Sequence, residues 1–347
     1  MTRRRQNLIT DVPGLRVGNA HDETLMSGVT VLIGEQALVA AADPRGGGLG
    51  TRETDALSPA GTVGAAHAIT LSGGSAFGLG AATGVQSWLA EQGIGYAVRT
   101  ARVPIVPGAI LFDLLNGGNK VWGETPPYEA LARRAAASAA TTFATGSVGA
   151  GFGATTALLR GGLGSASETL EDGTVVGALA AVNPAGSVTI GESGHFWAAA
   201  FEHGTEFGGL GLPARPGADA LRPRLKGAAG ESTVLAIVAT SAALTRGQAL
   251  RLAIMAQTGL ARAVYPVHTP LDGDIVYAVA TGVDAPPDPV AGLARLGTAA
   301  ANTLARAVAR GVYDAAPVPR GWVGPPAWRE TFSAAQGIDS IGGGAKP

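Results

Sequence analysis

Residues 233–244 read TVLAIVATSAAL and carry no charge. The run is too short to cross a bilayer, and its aliphatic, β-branched content is that of a strand buried on both faces. Such a strand needs a sheet around it and a covering layer on each side. The rest of the chain supplies candidates for both. GVTVLIG (28–34), ALVAAADPRGG (37–47) and DIVYAVATG (274–282) read as further strands, and TVVGALAAVNPAGSVTI (174–190) as two strands around an Asn-Pro turn. GAATGVQSWLAEQGIG (80–95) has helical spacing and a glycine C-cap. Ala249, Leu252, Ala253, Ala256 and Leu260 also recur at helical spacing, and the Ala-rich stretch 289–310 opens on a proline and runs on without a breaker. The expectation is an α/β chain of buried sheets covered by helices. No linker divides the 347 residues, so a single domain over 1–347 is expected, with an irregular tail over 311–347 where periodicity is lost.

Function classes narrow by elimination. Lys and Arg total 25 against 26 Asp and Glu, a balance that gives no field for nucleic acid or an anionic membrane. The chain has no cysteine, which removes disulfides, thiolate catalysis and Cys-ligated metal. MTRRRQNLITDVPG is not followed by an apolar segment of signal-peptide length, so a soluble, cytoplasmic protein is expected. His21, His67, His195, His203 and His268 show no metal-ligand spacing, and the Asp-Gly-Asp at 272–274 lacks the other oxygen ligands of a calcium loop. No P-loop, strand-to-helix G-x-G-x-x-G or G-x-S-x-G is present. The 53 glycines cluster at loop positions such as 43–55, 71–80 and 146–167, where close backbone approach is expected. Chemistry on a small molecule, without cofactor or metal, is what remains.

Ser232 and Thr233 stand at the head of the uncharged run, just after the charged loop LRPRLKGAAG. A plain strand start accounts for such a pair. So does an amide-cleaving scheme in which a Ser or Thr uses its own α-amine as base, which requires an N-terminal nucleophile. An internal hydroxyl becomes one by attacking the preceding carbonyl, after which water cleaves the ester. A free α-amine ordinarily titrates at roughly 7.7 to 8, which suits a general base at neutral pH.

Here the chain resembles the self-processing DmpA-type aminopeptidases, a family that includes D-aminopeptidases, β-peptidyl aminopeptidases and nylon-oligomer (6-aminohexanoate-oligomer) endohydrolases. The likeness runs through LITDVPGLRVGNAHDE, RGGGLGTRETD, LSGGSAFGLGAATGV, GAGFGAT, GGLGSAS, VNPAG, STVLAIVATSAAL and HTPLDGDIVYAVATG. It implies a four-layer α/β/β/α sandwich shared with ornithine acetyltransferases, and a chain cut into 1–232 and 233–347, assembled as a homotetramer of processed heterodimers. It implies an N-terminal-nucleophile amidohydrolase acting, without a cofactor, on short peptides of D-, β- or ω-amino residues or on amide oligomers. Acyl transfer from the same ester, or a family member without activity, are the alternatives.

The resemblance places the nucleophile on Thr233, with Ser232 as the competing position. It places the oxyanion-stabilising asparagine on Asn183 and the two acidic residues of the nylon-oligomer members on Asp272 and Asp274, beside the new amine. It also marks two departures. A catalytic-site lysine falls on Leu158 and an active-site tyrosine on Phe112, so both polar groups are missing; Lys120 or Arg160 are the substitutes considered for the charge. Gly73, Gly74 and Ser75, in SGGSAFGLG, are expected to pack closely and to form pocket wall.

Overall fold

Period-two alternation along residues 233–242 sends Val234, Ala236 and Val238 into one core and Leu235, Ile237 and Ala239 into another. In the computed structural model, which describes residues 5–227 and 231–332, the elements run β1 (Leu15–Asp22), β2 (Ser27–Pro44), β3 (Thr51–Arg52), β4 (Ala65–Ser72), α1 (Ala81–Glu91), β5 (Tyr96–Val98), β6 (Ala101–Val103), β7 (Gly108–Ile110), α2 (Tyr128–Ala137), β8 (Gly162–Thr169), β9 (Val175–Asn183), β10 (Thr233–Ala242), α3 (Arg246–Ala261), β11 (Ile275–Asp284), α4 (Ala291–Tyr313) and α5 (Trp328–Phe332). Strands β3-β7-β4-β2-β11-β10-β9-β8 follow one another in a single hydrogen-bonded sheet, with β1 also on β2 and β5-β6 forming a separate hairpin.

That sheet is folded over on itself by β2. Its first half pairs with β1 and β4, its last six residues with β11. The register with β4 shifts between Ile33 and Leu38, where Glu35, Gln36 and Ala37 are exposed; a bulge of this kind bends a strand and increases its twist. Before it, Val29, Val31 and Ile33 pack with α1 and α2. After it, Ala41 packs with α3 and α4, while Leu32, Leu38 and Ala40 all face the space between the two sheet halves. Three cores thus separate four layers: α3 and α4, then β8 to β11, then β1, β2, β4 and β7, then α1 and α2. This is the expected α/β/β/α order, with stacked sheets at its centre.

Three sequence expectations change. The strands expected at 28–34 and 37–47 are one continuous bent strand. The second strand expected within 174–190 does not form: β9 ends at Asn183, Pro184 has no N–H to extend the ladder, and the chain beyond makes only isolated bridges, Ser187 with Tyr265 and Thr189 with Phe196. The tail is partly ordered, since α4 continues to Tyr313 and Trp328 buries its ring against Phe196 and Tyr313; residues 333–347 lie outside the described residues. Among the described residues no helix is long and apolar enough to cross a membrane.

Candidate active site

Thr233 is the first residue of β10, buried between two strands. On one side it pairs with Asn183, the last residue of antiparallel β9. On the other side β11 runs parallel, with Leu235 opposite Ile275 and an isolated bridge between Ser232 and Asp272. The Thr233 hydroxyl donates to the carbonyl oxygen of Ser232 at 2.5 Å, and that oxygen also accepts the Gly273 N–H at 2.8 Å. The hydroxyl therefore lies against the peptide bond that precedes it, whose carbonyl is already polarised by two donors. The Ser232 hydroxyl is buried and finds no partner among the described residues.

The Asp272-Gly273-Asp274 turn is braced from both sides. Asp274 Oδ1 accepts the Val234 N–H at 2.7 Å, one residue past Thr233, and Oδ2 accepts from His268 at its backbone (3.2 Å) and lies 2.9 Å from its Nδ1. Asp272 Oδ1 accepts the Ala185 N–H at 2.8 Å, and Oδ2 accepts the Thr269 N–H and hydroxyl. Both carboxylates thus hold the backbone on either side of Thr233. Burial, reinforced by the charge of Asp274, raises the Asp272 carboxyl above its usual range, against the pull of its hydrogen bonds. The glycine run at 46–48 packs directly on this turn, with Gly46 and Gly48 N–H donating to the carbonyls of Asp274 and Asp272. A side chain at Gly46 would lie 2.4 Å from Asp272 O, and one at Gly273 would lie 2.4 Å from Gly48 O and 2.8 Å from Thr233 Oγ1. Close approach, not phosphate binding, explains these glycines.

Asn183 is fully buried, with both ends of its amide engaged. Oδ1 accepts the Thr155 N–H at 2.9 Å and the Lys226 ammonium at 2.8 Å; Nδ2 donates to the carbonyls of Phe112 at 3.2 Å and Glu231 at 3.3 Å. Lys226 is a site residue that sequence reasoning passed over. The residue as a whole is half-buried, and its ammonium also donates to the carbonyl and hydroxyl of Thr155. Burial lowers its pKa to about 7, against the opposing pull of Asp272, Glu231 and Asp113. The only advance signal was a lysine in the loop seven residues ahead of Thr233.

A cavity of about 390 Å³ opens beside this group, lined among others by Phe112, Asp113, Asn116, Thr155, Lys226 and Glu231. Phe112 therefore stands at the site, lining the cavity while its carbonyl accepts from Asn183. Leu158 does not: it packs against the core under α3 and α4 and lines a separate small cavity with Leu159 and Thr189. The two substitutes considered for the missing lysine are also committed elsewhere. Arg160 donates to the carbonyls of Ala316, Pro317 and Phe152 and stacks on Trp322, and the Lys120 ammonium donates to Leu25 O. Gly73, Gly74 and Ser75 lie behind the cavity wall. Gly74 N–H donates to Asp113 Oδ1, Gly73 sits against Asp113 and Ser27, and Ser75 N–H donates to Leu111 O.

Comparison with known proteins gives this cluster its context. The family model for peptidase family S58 matches residues 7–321. The chain belongs to peptidase family S58. It is 42% identical over 356 residues to an uncharacterized aminopeptidase of Mycobacterium tuberculosis (strain ATCC 25618 / H37Rv), covering 95% of this chain and 99% of that protein. It is 29% identical over 307 residues to a 6-aminohexanoate-oligomer endohydrolase of Kocuria sp. (strain KY2), covering 84% and 80%. The fold is that of a Burkholderia sp. beta-aminopeptidase, with a TM-score of 0.70, 24% identity and 99% and 96% of the two chains covered. This S58 member is accordingly a hydrolase of amide bonds.

Proposed function

We propose that this S58 hydrolase cuts itself between Ser232 and Thr233 and then uses Thr233, as a new N-terminus, to hydrolyse short peptides or linear amide oligomers. The observation that carries the reading is the Thr233 hydroxyl held 2.5 Å from the Ser232 carbonyl oxygen, with the Gly273 N–H on the same oxygen. Attack of Oγ1 on the Ser232 carbon closes a five-membered ring and places negative charge on that oxygen, where the Gly273 N–H stabilises it. Collapse breaks the C–N bond, and the hydroxyl proton passes to the Thr233 nitrogen. Water then hydrolyses the ester, leaving a carboxylate on Ser232 and a free amine and hydroxyl on Thr233.

In turnover the same hydroxyl attacks the substrate carbonyl and the α-amine takes and returns the proton. Once the 231–232 segment withdraws, Asn183 Nδ2 is free to donate to the substrate oxyanion. Asp274 keeps the start of β10 in place through Val234, and Asp272 keeps the Asn183 turn in place through Ala185. The two fragments stay together because β9 and β10, one from each, remain paired along their length. The cavity, lined by Phe112 and by acidic Asp113 and Glu231, suits a short chain with a free amino end, in keeping with the aminopeptidase and oligomer-hydrolase relatives. Intact mass under denaturing conditions tests the reading: fragments 1–232 and 233–347 are expected from the wild type and one uncut chain from Thr233→Ala. An uncut wild-type chain, or a new terminus at Ser232, refutes it.

A further inference from the structure

The Asn183 amide has a donor end and an acceptor end, and its use as an oxyanion donor depends on which end faces the reacting carbonyl. Its acceptor end lies between the Thr155 N–H and the Lys226 ammonium. An ammonium has three N–H groups and no lone pair. Those of Lys226 meet Thr155 O, Thr155 Oγ1 and Asn183 Oδ1, so all three are matched. A flipped amide would set its NH₂ against the ammonium and the Thr155 N–H, leaving donors facing donors in a buried place, which is costly. With Oδ1 so fixed, only Nδ2 is presented on the other side, where its two contacts, at 3.2 and 3.3 Å, are long and readily exchanged.

We propose that Lys226 is a positioning residue of the amide-cleaving site: its ammonium locks the Asn183 side chain with Nδ2 toward the Glu231 carbonyl, so that the segment carrying the Ser232–Thr233 bond is held while it is cut and a substrate oxyanion is met once it withdraws. The proposal rests on the reading of Thr233 as nucleophile and goes beyond it. It also assigns the loop ahead of the cut a part in the mature enzyme. Lys226 N–H donates to Ala185 O at 3.0 Å, two residues from Asn183, so backbone as well as side chain holds it in place when the bond after Ser232 is broken. The positive charge that the family resemblance sets at position 158, where Leu158 faces a different core, reaches the site from another segment.

The groups facing the ammonium are Asp272, Glu231 and Asp113. With its pKa lowered to about 7, Lys226 gives up a proton as pH rises through neutrality. A neutral amine has two N–H groups for three acceptors, and the lock on Asn183 loosens. Wild type, Lys226→Arg and Lys226→Met chains made by cell-free translation, quenched at intervals between pH 5.5 and 9 and weighed intact, read this directly. Expected are a wild-type cutting rate with a limb that declines above about pH 7, a Met variant slowed tenfold or more without that limb, and an Arg variant partly restored and flat across it. Thermal melting of Lys226→Met in a Thr233→Ala background verifies that the variant folds. A folded Met variant that cuts within twofold of wild type, with the same pH profile, overturns the role of Lys226 alone. A wild-type chain that never cuts overturns the Thr233 reading and this one with it.

Discussion

Behind Thr233, β9, β10 and β11 form a frame in which every carboxylate oxygen of Asp272 and Asp274 has a backbone or side-chain donor. In front of it, Phe112, Asp113, Thr155, Lys226 and Glu231 enclose a cavity whose polar groups are less evenly matched. Asp113 Oδ2 is buried without a partner among the described residues, and burial raises its carboxyl above the usual range despite Lys120. Lys226 keeps its ammonium enclosed although burial drives its pKa down. The frame is preorganised, as a group that must meet one peptide bond in one geometry requires. The wall carries unsatisfied polarity, which a ligand can complete and which differs easily between relatives.

The largest expected effect breaks the frame. Gly273→Ala would set a methyl group 2.4 Å from Gly48 O and 2.8 Å from Thr233 Oγ1, pushing the Gly273 N–H off the Ser232 carbonyl. Losing one such donor costs on the order of 10²- to 10³-fold, so fragment appearance should slow by that factor; unchanged cutting would show that the frame is not the rigid half. Asp274→Ala comes next. It leaves the Val234 N–H buried without its acceptor and unpairs His268, at about 2–4 kcal/mol, measurable by denaturant unfolding in a Thr233→Ala background. A loss below about 1 kcal/mol would place Asp274 with the wall.

The smallest effect sets two contributions against each other. In that same uncut background Lys226→Met should shift the melting temperature by less than about 4 °C near neutral pH, because the apolar side chain avoids burying a charge but leaves the acceptors on Thr155 and Asn183 without that donor. The pH dependence follows from the lowered pKa. Below about pH 7 folded and unfolded chains both carry the charge and the wild type bears the full burial cost. Between there and the ordinary lysine range only the unfolded chain binds the proton, so wild-type stability rises with pH and the Met variant loses ground to it. A Met variant that gains on the wild type as pH rises would contradict the enclosed ammonium.

Much of the frame was legible in the chain itself. The run from Thr233 alternates cleanly between two cores, the 249–260 pattern lies within α3, and all but the first two residues of the Ala-rich 289–310 lie within α4, because period and burial coincide there. Resemblance singled out Thr233, Asn183, Asp272 and Asp274, and the strand register brings them to one place. The wall was legible only at Phe112, which lines the cavity. Leu158 lies in another core, and Lys226 sits in a loop whose sequence has no periodicity to mark it.

Sequence alone determined the α/β class, the doubly buried strand and the hydroxyl pair at its head, since these follow from side-chain period and from chemistry within a few neighbouring positions. Only the tertiary structure decided that β2 would bend to join two stacked sheets, that Gly273 would donate to the Ser232 carbonyl, and that Lys226 would reach Asn183. Each of these depends on residues distant along the chain meeting within hydrogen-bonding distance, and such meetings are set by how layers pack rather than by local pattern.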